Sequence, residues 1–124
     1  MRQFEVIFYE DIKGNEPVKD FLLDCHTKMR AKFVGLLEVL EEKGNDLREP
    51  YSKYLEDGIF EIRCKIGSDI SRILYFFYYE KNIILTNGFI KKTQKTPQKE
   101  IKIAKNRRKD YIERIERNDH IKKV

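Results

Sequence analysis

The chain has 124 residues, 40% hydrophobic and 38% charged, which is enough for one domain with one core and too few for two. No run approaches the roughly 18 apolar residues of a membrane helix, and the opening residues carry no signal-peptide apolar segment. Cys25 and Cys64 with His26 and His120 neither staple a secreted scaffold nor compose a zinc site, so a small cytoplasmic protein with no metal and no cofactor is expected.

The net charge of +5 hides an asymmetry. Residues 1–90 hold 13 Lys/Arg against 16 Asp/Glu, whereas residues 91–124 hold 13 against 5. A cationic C-terminal quarter on a mildly acidic body is the distribution of a protein that meets phosphates, or of one with a solvated basic helix.

In chain order, Phe4, Val6 and Phe8 alternate as in a half-buried strand. Gly14-Asn15 breaks the chain, and Pro17 suits the first turn of a helix. The apolar spacing from Val18 to Leu40 predicts helices over about 16–28 and 30–43, meeting near Thr27, or one bent helix, with a stop at Gly44-Asn45. Cys25 belongs to that apolar stripe, and His26 has a structural place on the same segment. Residues 46–58 show no period and hold Pro50 and Gly58, which predicts a loop. Phe60, Ile62, Cys64 and Ile66 then point one way while Glu61, Arg63 and Lys65 point the other. Gly67-Ser68 is a two-residue hairpin turn. Residues 70–79 read as a central strand, apolar on both faces apart from Ser71 and Arg72. Residues 80–82 turn the chain, and residues 83–90 form a further strand. Thr96-Pro97 opens the last helix, with Ile101, Ala104, Arg108, Tyr111, Ile112 and Ile115 on one side and Lys99, Lys102, Lys105 and Lys109 on another.

The prediction is an α+β fold of order β-α-α-β-β-β-α, a curled and mostly antiparallel sheet with its helices on one face. The domain spans 1–117, and 118–124 form a flexible basic tail. The other sheet face is expected to stay partly open and to carry the polar residues.

With Gly67-Ser68 as the loop, Arg63 lies opposite Arg72; a three-residue loop would put Arg72 opposite Cys64, forcing a charge toward the core or Cys64 away from it. Like charges in that position are destabilising unless an anion, or Glu61, lies between them. A phosphate suits two guanidinium forks. The run from Lys91 to Pro97 adds the ammonium groups of Lys91, Lys92 and Lys95 and a helix N-terminus near the same face. Such a concavity can stabilise the charge that develops during phosphodiester cleavage. No carboxylate cluster for magnesium is evident, so cleavage would be metal-independent. The proton-transfer candidates are Glu61, Lys91, Lys92 and Lys95, followed by Tyr75 and Tyr111; Cys64 faces the core.

These residues carry a family resemblance. Gly58 to Arg63, Ser71 to Phe76, the run Gly88-Phe89-Ile90-Lys91-Lys92-Thr93-Gln94-Lys95-Thr96-Pro97, then Glu100-Ile101 and Ala104, resemble the phage-derived Gp49-like, HigB-type branch of the RelE/ParE toxin superfamily. Residues 14–18 and 49–55 are similar to it as well, so the resemblance covers roughly residues 5–115. The resemblance implies a RelE-like fold and a toxin of a type II toxin–antitoxin pair. The activity it implies is ribosome-dependent mRNA cleavage by attack of a 2′-hydroxyl on the adjacent phosphate. By position, Arg72 matches the strand arginine that holds the scissile phosphate, Arg63 a basic residue of the preceding strand, and Lys91 or Lys92 a basic residue at the exit of the last strand. Glu61 stands where RelE-type sequences have lysine, and their C-terminal catalytic tyrosine has no match. Glu61 is assigned to orient or activate the 2′-hydroxyl, with a lysine protonating the leaving oxygen. Lys65, Lys95, Lys99, Lys102, Lys105 and Lys109 are the expected contacts to ribosome and RNA. The implied partners are a HigA-like helix-turn-helix antitoxin and the ribosome with its mRNA, in a homodimer or a toxin–antitoxin heterotetramer. The alternatives within the superfamily are a ParE-like gyrase inhibitor and an inactive antitoxin-bound regulator.

Overall fold

The computed structural model describes residues 3–79 and 81–123, and the side chains of 3–79 and 81–118. Most of the tail expected over 118–124, including His120, lies outside the described side chains. The order is β1 (Glu5–Phe8), α1 (Pro17–Asp24), α2 (Thr27–Lys43), β2 (Ser52–Glu56), β3 (Ile59–Ile66), β4 (Asp69–Tyr78), β5 (Asn82–Lys91) and α3 (Gln98–Lys123). The strands form one sheet in the order β1-β5-β4-β3-β2, antiparallel throughout except for the parallel β1–β5 pair. This is an α+β domain with a mixed, open, RelE-like sheet.

The β3–β4 hairpin has the predicted register. Arg63 pairs with Arg72 and Cys64 with Ser71, around a turn in which Gly67 takes φ +61°. That conformation costs glycine nothing at the first position of a II′ turn. The helix boundary is set by His26, whose ring Nδ1 accepts a bond from the Lys28 N–H at 3.4 Å and so caps α2. α1 and α2 are therefore two helices, the first ending earlier than its apolar spacing suggests.

Two expectations are corrected. Residues 46–58 are not all loop, because Ser52–Glu56 is an edge strand paired with β3. Its periodicity is short and obscured by Lys53 and Glu56 on an edge that needs little apolar surface. The signal was Asp57-Gly58, both at positive φ (49° and 77°), a dipeptide whose turn twist suits a hairpin. The helices also do not share one face. Val18, Leu22, Phe33, Leu37 and Leu40 of α1 and α2 pack with Ile62, Cys64, Ile73, Tyr75, Ile83 and Leu85. Ala104, Tyr111 and Ile112 of α3 pack with Ile59, Leu74, Phe76 and Ile84 from the opposite side. β4 is apolar on both faces because both are covered. α3 needs a partner for its own apolar stripe and finds it there.

A β-bulge decides what β5 presents. The register slips between Leu74 and Tyr75, so that Leu74 faces Asn87 while Tyr75 faces Leu85, leaving Thr86 as the extra residue. The Thr86 hydroxyl donates to the Leu74 carbonyl at 3.2 Å and to Asn87 Oδ1 at 2.7 Å. Beyond the bulge the faces are exchanged, as bulges do when they re-aim a strand. Phe89 and Lys91 consequently lie across from Arg72 and Ile70.

Candidate functional site

Three charged side chains from one hairpin meet on the α3 side of the sheet. Glu61 and Arg72 are fully buried, and the Arg63 side chain is 19% exposed. Arg63 Nε donates to Glu61 Oε2, and Arg72 Nε stands 3.8 Å from Glu61 Oε1. The carboxylate thus lies between the two cations that the hairpin places opposite each other. It offsets one of them, and the cluster keeps a net charge of +1.

The segment after β5 closes over this cluster. Arg72 Nη2 donates to the Thr93 carbonyl, Arg63 Nη1 to Gln94 Oε1 at 3.1 Å, Arg63 Nη2 to the Gln94 carbonyl, and the Thr96 hydroxyl to Glu61 Oε1. The first turn of α3 is pinned beside the bulge, where Asn87 Nδ2 donates to the Glu100 carbonyl (3.2 Å) and to Glu100 Oε1 (3.0 Å). The face expected to be open is therefore covered at Arg72 and Glu61, because Thr93 to Thr96 fold back on it.

The arginines differ in what they have left to give. All three Arg63 nitrogens donate within the chain. Arg72 Nε and Nη1 have no hydrogen-bond partner although both are buried, and the guanidinium lies 5.8 Å from the centre of the Phe89 ring. Burial, and then Arg63 beside it, pull the Arg72 pKa below its ordinary value, with Glu61 acting the other way. Two buried donor nitrogens without a partner on one cation are rare in a folded protein.

Residues 20–109 match the family described as phage-derived protein Gp49-like (DUF891). The chain belongs to that family. Gp49-like proteins are RelE/HigB-like toxins, which makes this chain a toxin of a toxin–antitoxin pair with an antitoxin as partner. No curated protein matches the chain.

This Gp49-like toxin carries exposed lysines on β3, at the end of β5 and on the segment after it. Lys65, Lys91, Lys92 and Lys95 are exposed, and Lys95 shares with Arg63, Gln94 and Thr96 the lining of a cleft of about 330 Å³ beside β2. On α3, Lys99, Lys102 and Lys109 are exposed. Lys105 stands apart from them, since its Nζ is 2.6 Å from Glu56 Oε2 and 3.9 Å from Asp57 Oδ2. Arg108 joins it on Asp57 at 2.9 Å. These contacts tie α3 to the β2–β3 turn.

Tyr75 and Tyr111, the weaker proton-transfer candidates, pack in the two apolar clusters on opposite sides of the sheet. Tyr75 lies on the α1–α2 side with its hydroxyl 2.5 Å from Ser52 Oγ, and burial pushes its pKa up to about 12. Cys64 is buried on the same side and raised to about 11 by burial. Tyr111 is raised by burial and by Glu5. Sequence reasoning missed Thr93, Gln94 and Thr96 as direct partners of the charged cluster, and Phe89 as the ring beneath Arg72. The Thr-Gln-Lys-Thr composition was visible, but its folding back was not. Among the described residues no helix is long and apolar enough to cross a membrane, and no group of three or more His, Cys, Asp or Glu could hold a metal ion.

Proposed function

We propose that this toxin is a ribosome-dependent mRNA endoribonuclease that works in the cytoplasm with a HigA-like helix-turn-helix protein as its antitoxin. The observation that carries the reading is the buried Arg72 with two unpartnered donor nitrogens, held opposite Arg63, with exposed Lys91, Lys92 and Lys95 at the end of β5 and on the segment after it. A protein-contact inhibitor of gyrase has no need of such a convergence, whereas a phosphodiester does.

In the proposed reaction the Thr93–Thr96 segment lifts, and an mRNA phosphate takes the Arg72 donors and those Arg63 gives to Gln94. The 2′-hydroxyl attacks phosphorus, so the O2′–P bond forms and the P–O5′ bond breaks to leave a cyclic phosphate. The arginines stabilise charge on the phosphoryl oxygens, and Lys91 or Lys92 protonates O5′. Glu61 is already engaged by Thr96 and Arg63, and this favours the work of orienting the arginines and the 2′-hydroxyl, whose proton passes to solvent water as O2′ bonds to phosphorus. Lys65, Lys95, Lys99, Lys102 and Lys109 supply contacts to ribosomal RNA.

The test is to incubate the protein with translating ribosomes in the presence of a chelator and to map mRNA ends. Cuts within A-site codons that vanish with Arg72→Ala are the expected result. Identical end patterns for wild type and variant overturn the reading, and gyrase inhibition without cleavage replaces it. Glu61→Gln separates two roles, because loss of a general base removes at least about 100-fold in rate and loss of an orienting charge removes less.

A further inference from the structure

Gly35 sits in the middle of α2, where glycine is the poorest helix former short of proline. Neither strain nor crowding inside the chain calls for it, since a Cβ built there would meet nothing within 4 Å. Lys32, Gly35, Leu36 and Val39 lie at i, i+3, i+4 and i+7, a second stripe beside the core stripe of Met29, Phe33, Leu37 and Leu40. This second stripe forms one wall of a groove of about 770 Å³, whose other wall is built from Pro50, Tyr51, Cys64 and Ile70.

The charges on the groove are all of one sign. Lys32, Arg63 and Lys65 line it and no carboxylate does. Tyr51 is the one aromatic residue in the lining, which suits packed protein side chains better than nucleobases, whose recognition rests on several aromatic faces. A wall position without a side chain, at Gly35, lets another backbone come close.

We propose that this groove receives an amphipathic helix with an apolar stripe and acidic flanks, carried by the antitoxin; the identity of the carrier rests on the toxin–antitoxin reading above. An apolar stripe fills the cleft in the helix-in-groove manner, and the flanking carboxylates face the exposed Lys32 and Lys65. Because Arg63 borders both the groove and the candidate site, a seated helix places negative charge at the mouth of that site.

The probe is a fluorescent 18-residue helical peptide with leucines at i, i+3, i+4 and i+7 and glutamates beside them, followed by anisotropy. Its counterpart carries lysines in place of the glutamates. The acidic peptide binds at least tenfold more tightly, and Gly35→Trp weakens it tenfold or more while the thermal melt stays at or above that of the wild type. Should Gly35→Trp lower the melt, Val39→Asp repeats the test on the half-buried wall. Lys32→Glu with Lys65→Glu weakens binding and flattens its salt dependence. Equal affinity for the two peptides, or binding indifferent to Gly35→Trp and Val39→Asp, overturns the proposal. So does displacement of the peptide by a 12-nucleotide oligouridine in a Gly35-dependent way, or a dimer of the chain that Gly35→Trp dissociates. A chain that binds the acidic peptide but cuts no ribosome-bound message overturns the nuclease reading alone. One that cuts message and ignores the peptide overturns the groove alone.

Discussion

The two faces of the β3–β4 hairpin are made from alternate residues of the same sequence and solve burial in opposite ways. On the α1–α2 side, Phe60, Ile62, Cys64, Ile73 and Tyr75 pack against helix side chains, and stability follows from apolar area removed from water. On the α3 side, Glu61 and Arg72 are just as deeply buried, beside a nearly buried Arg63. Buried ion clusters are poor stabilisers, because desolvation offsets most of the attraction, and apolar replacements of similar size are often as stable or more so. A chain built only for stability would repeat the first solution on both faces. Keeping three charges under Thr93–Thr96, with two Arg72 donor nitrogens unpartnered, is not explained by packing alone, and the proposed phosphate site accounts for it.

The strongest way to break this contrast is truncation on each side. Phe33→Ala empties the apolar face and should cost about 3–5 kcal/mol. Glu61→Ala should cost a similar ~3–5 kcal/mol for a different reason, leaving two buried guanidiniums facing each other; urea denaturation measures both. If Glu61→Ala costs under about 1 kcal/mol, the cluster is not buried as described. The triple variant Glu61→Leu, Arg63→Leu and Arg72→Leu, which removes the whole charged cluster, sharpens the point. It should be neutral, or stabilising by roughly 1–4 kcal/mol, in the same titration, while mRNA cleavage is lost.

The next effect is alkaline. Tyr75 carries a folded pKa of about 12 against an ordinary 10. The neutral phenol is favoured in the folded state, so its contribution is complete below pH 10 and is lost as pH rises toward 12. The loss is about 2–3 kcal/mol. In Tyr75→Phe, stability measured from pH 9 to 12 should fall less steeply by that amount. The smallest effects belong to α3. Lys99→Ala, Lys102→Ala and Lys109→Ala should each reduce the salt slope of ribosome binding by about one unit without changing the thermal melt. Lys105→Ala should act mainly by loosening the contact to Glu56, with the smaller change in slope.

Much of the hairpin was legible in the sequence. Alternation from Phe60 to Ile66 and the Gly67-Ser68 turn admit one register that keeps charge out of the α1–α2 core, and that register places Arg63 against Arg72. Strand β2 was harder to see, since an edge strand of five residues with two charges has almost no period; only Asp57-Gly58 announced it. The lysines of α3 looked equivalent because helical spacing places them on one side, yet Glu56 engages Lys105 from 49 residues away.

By itself the sequence determined four of the five strands, the β3–β4 pairing on either side of Gly67-Ser68, the basic C-terminal quarter and the Gp49-like membership. All of these rest on local periodicity, turn chemistry and matching residues. Only the tertiary structure decided that α3 crosses the sheet on the side away from α1 and α2, that a bulge at Thr86 turns Phe89 and Lys91 toward the arginines, and that Thr93 to Thr96 close over Arg72 and Glu61. Periodicity records which face a side chain takes. What covers that face depends on contacts between segments distant in the chain, here between residues 61–72 and 93–100.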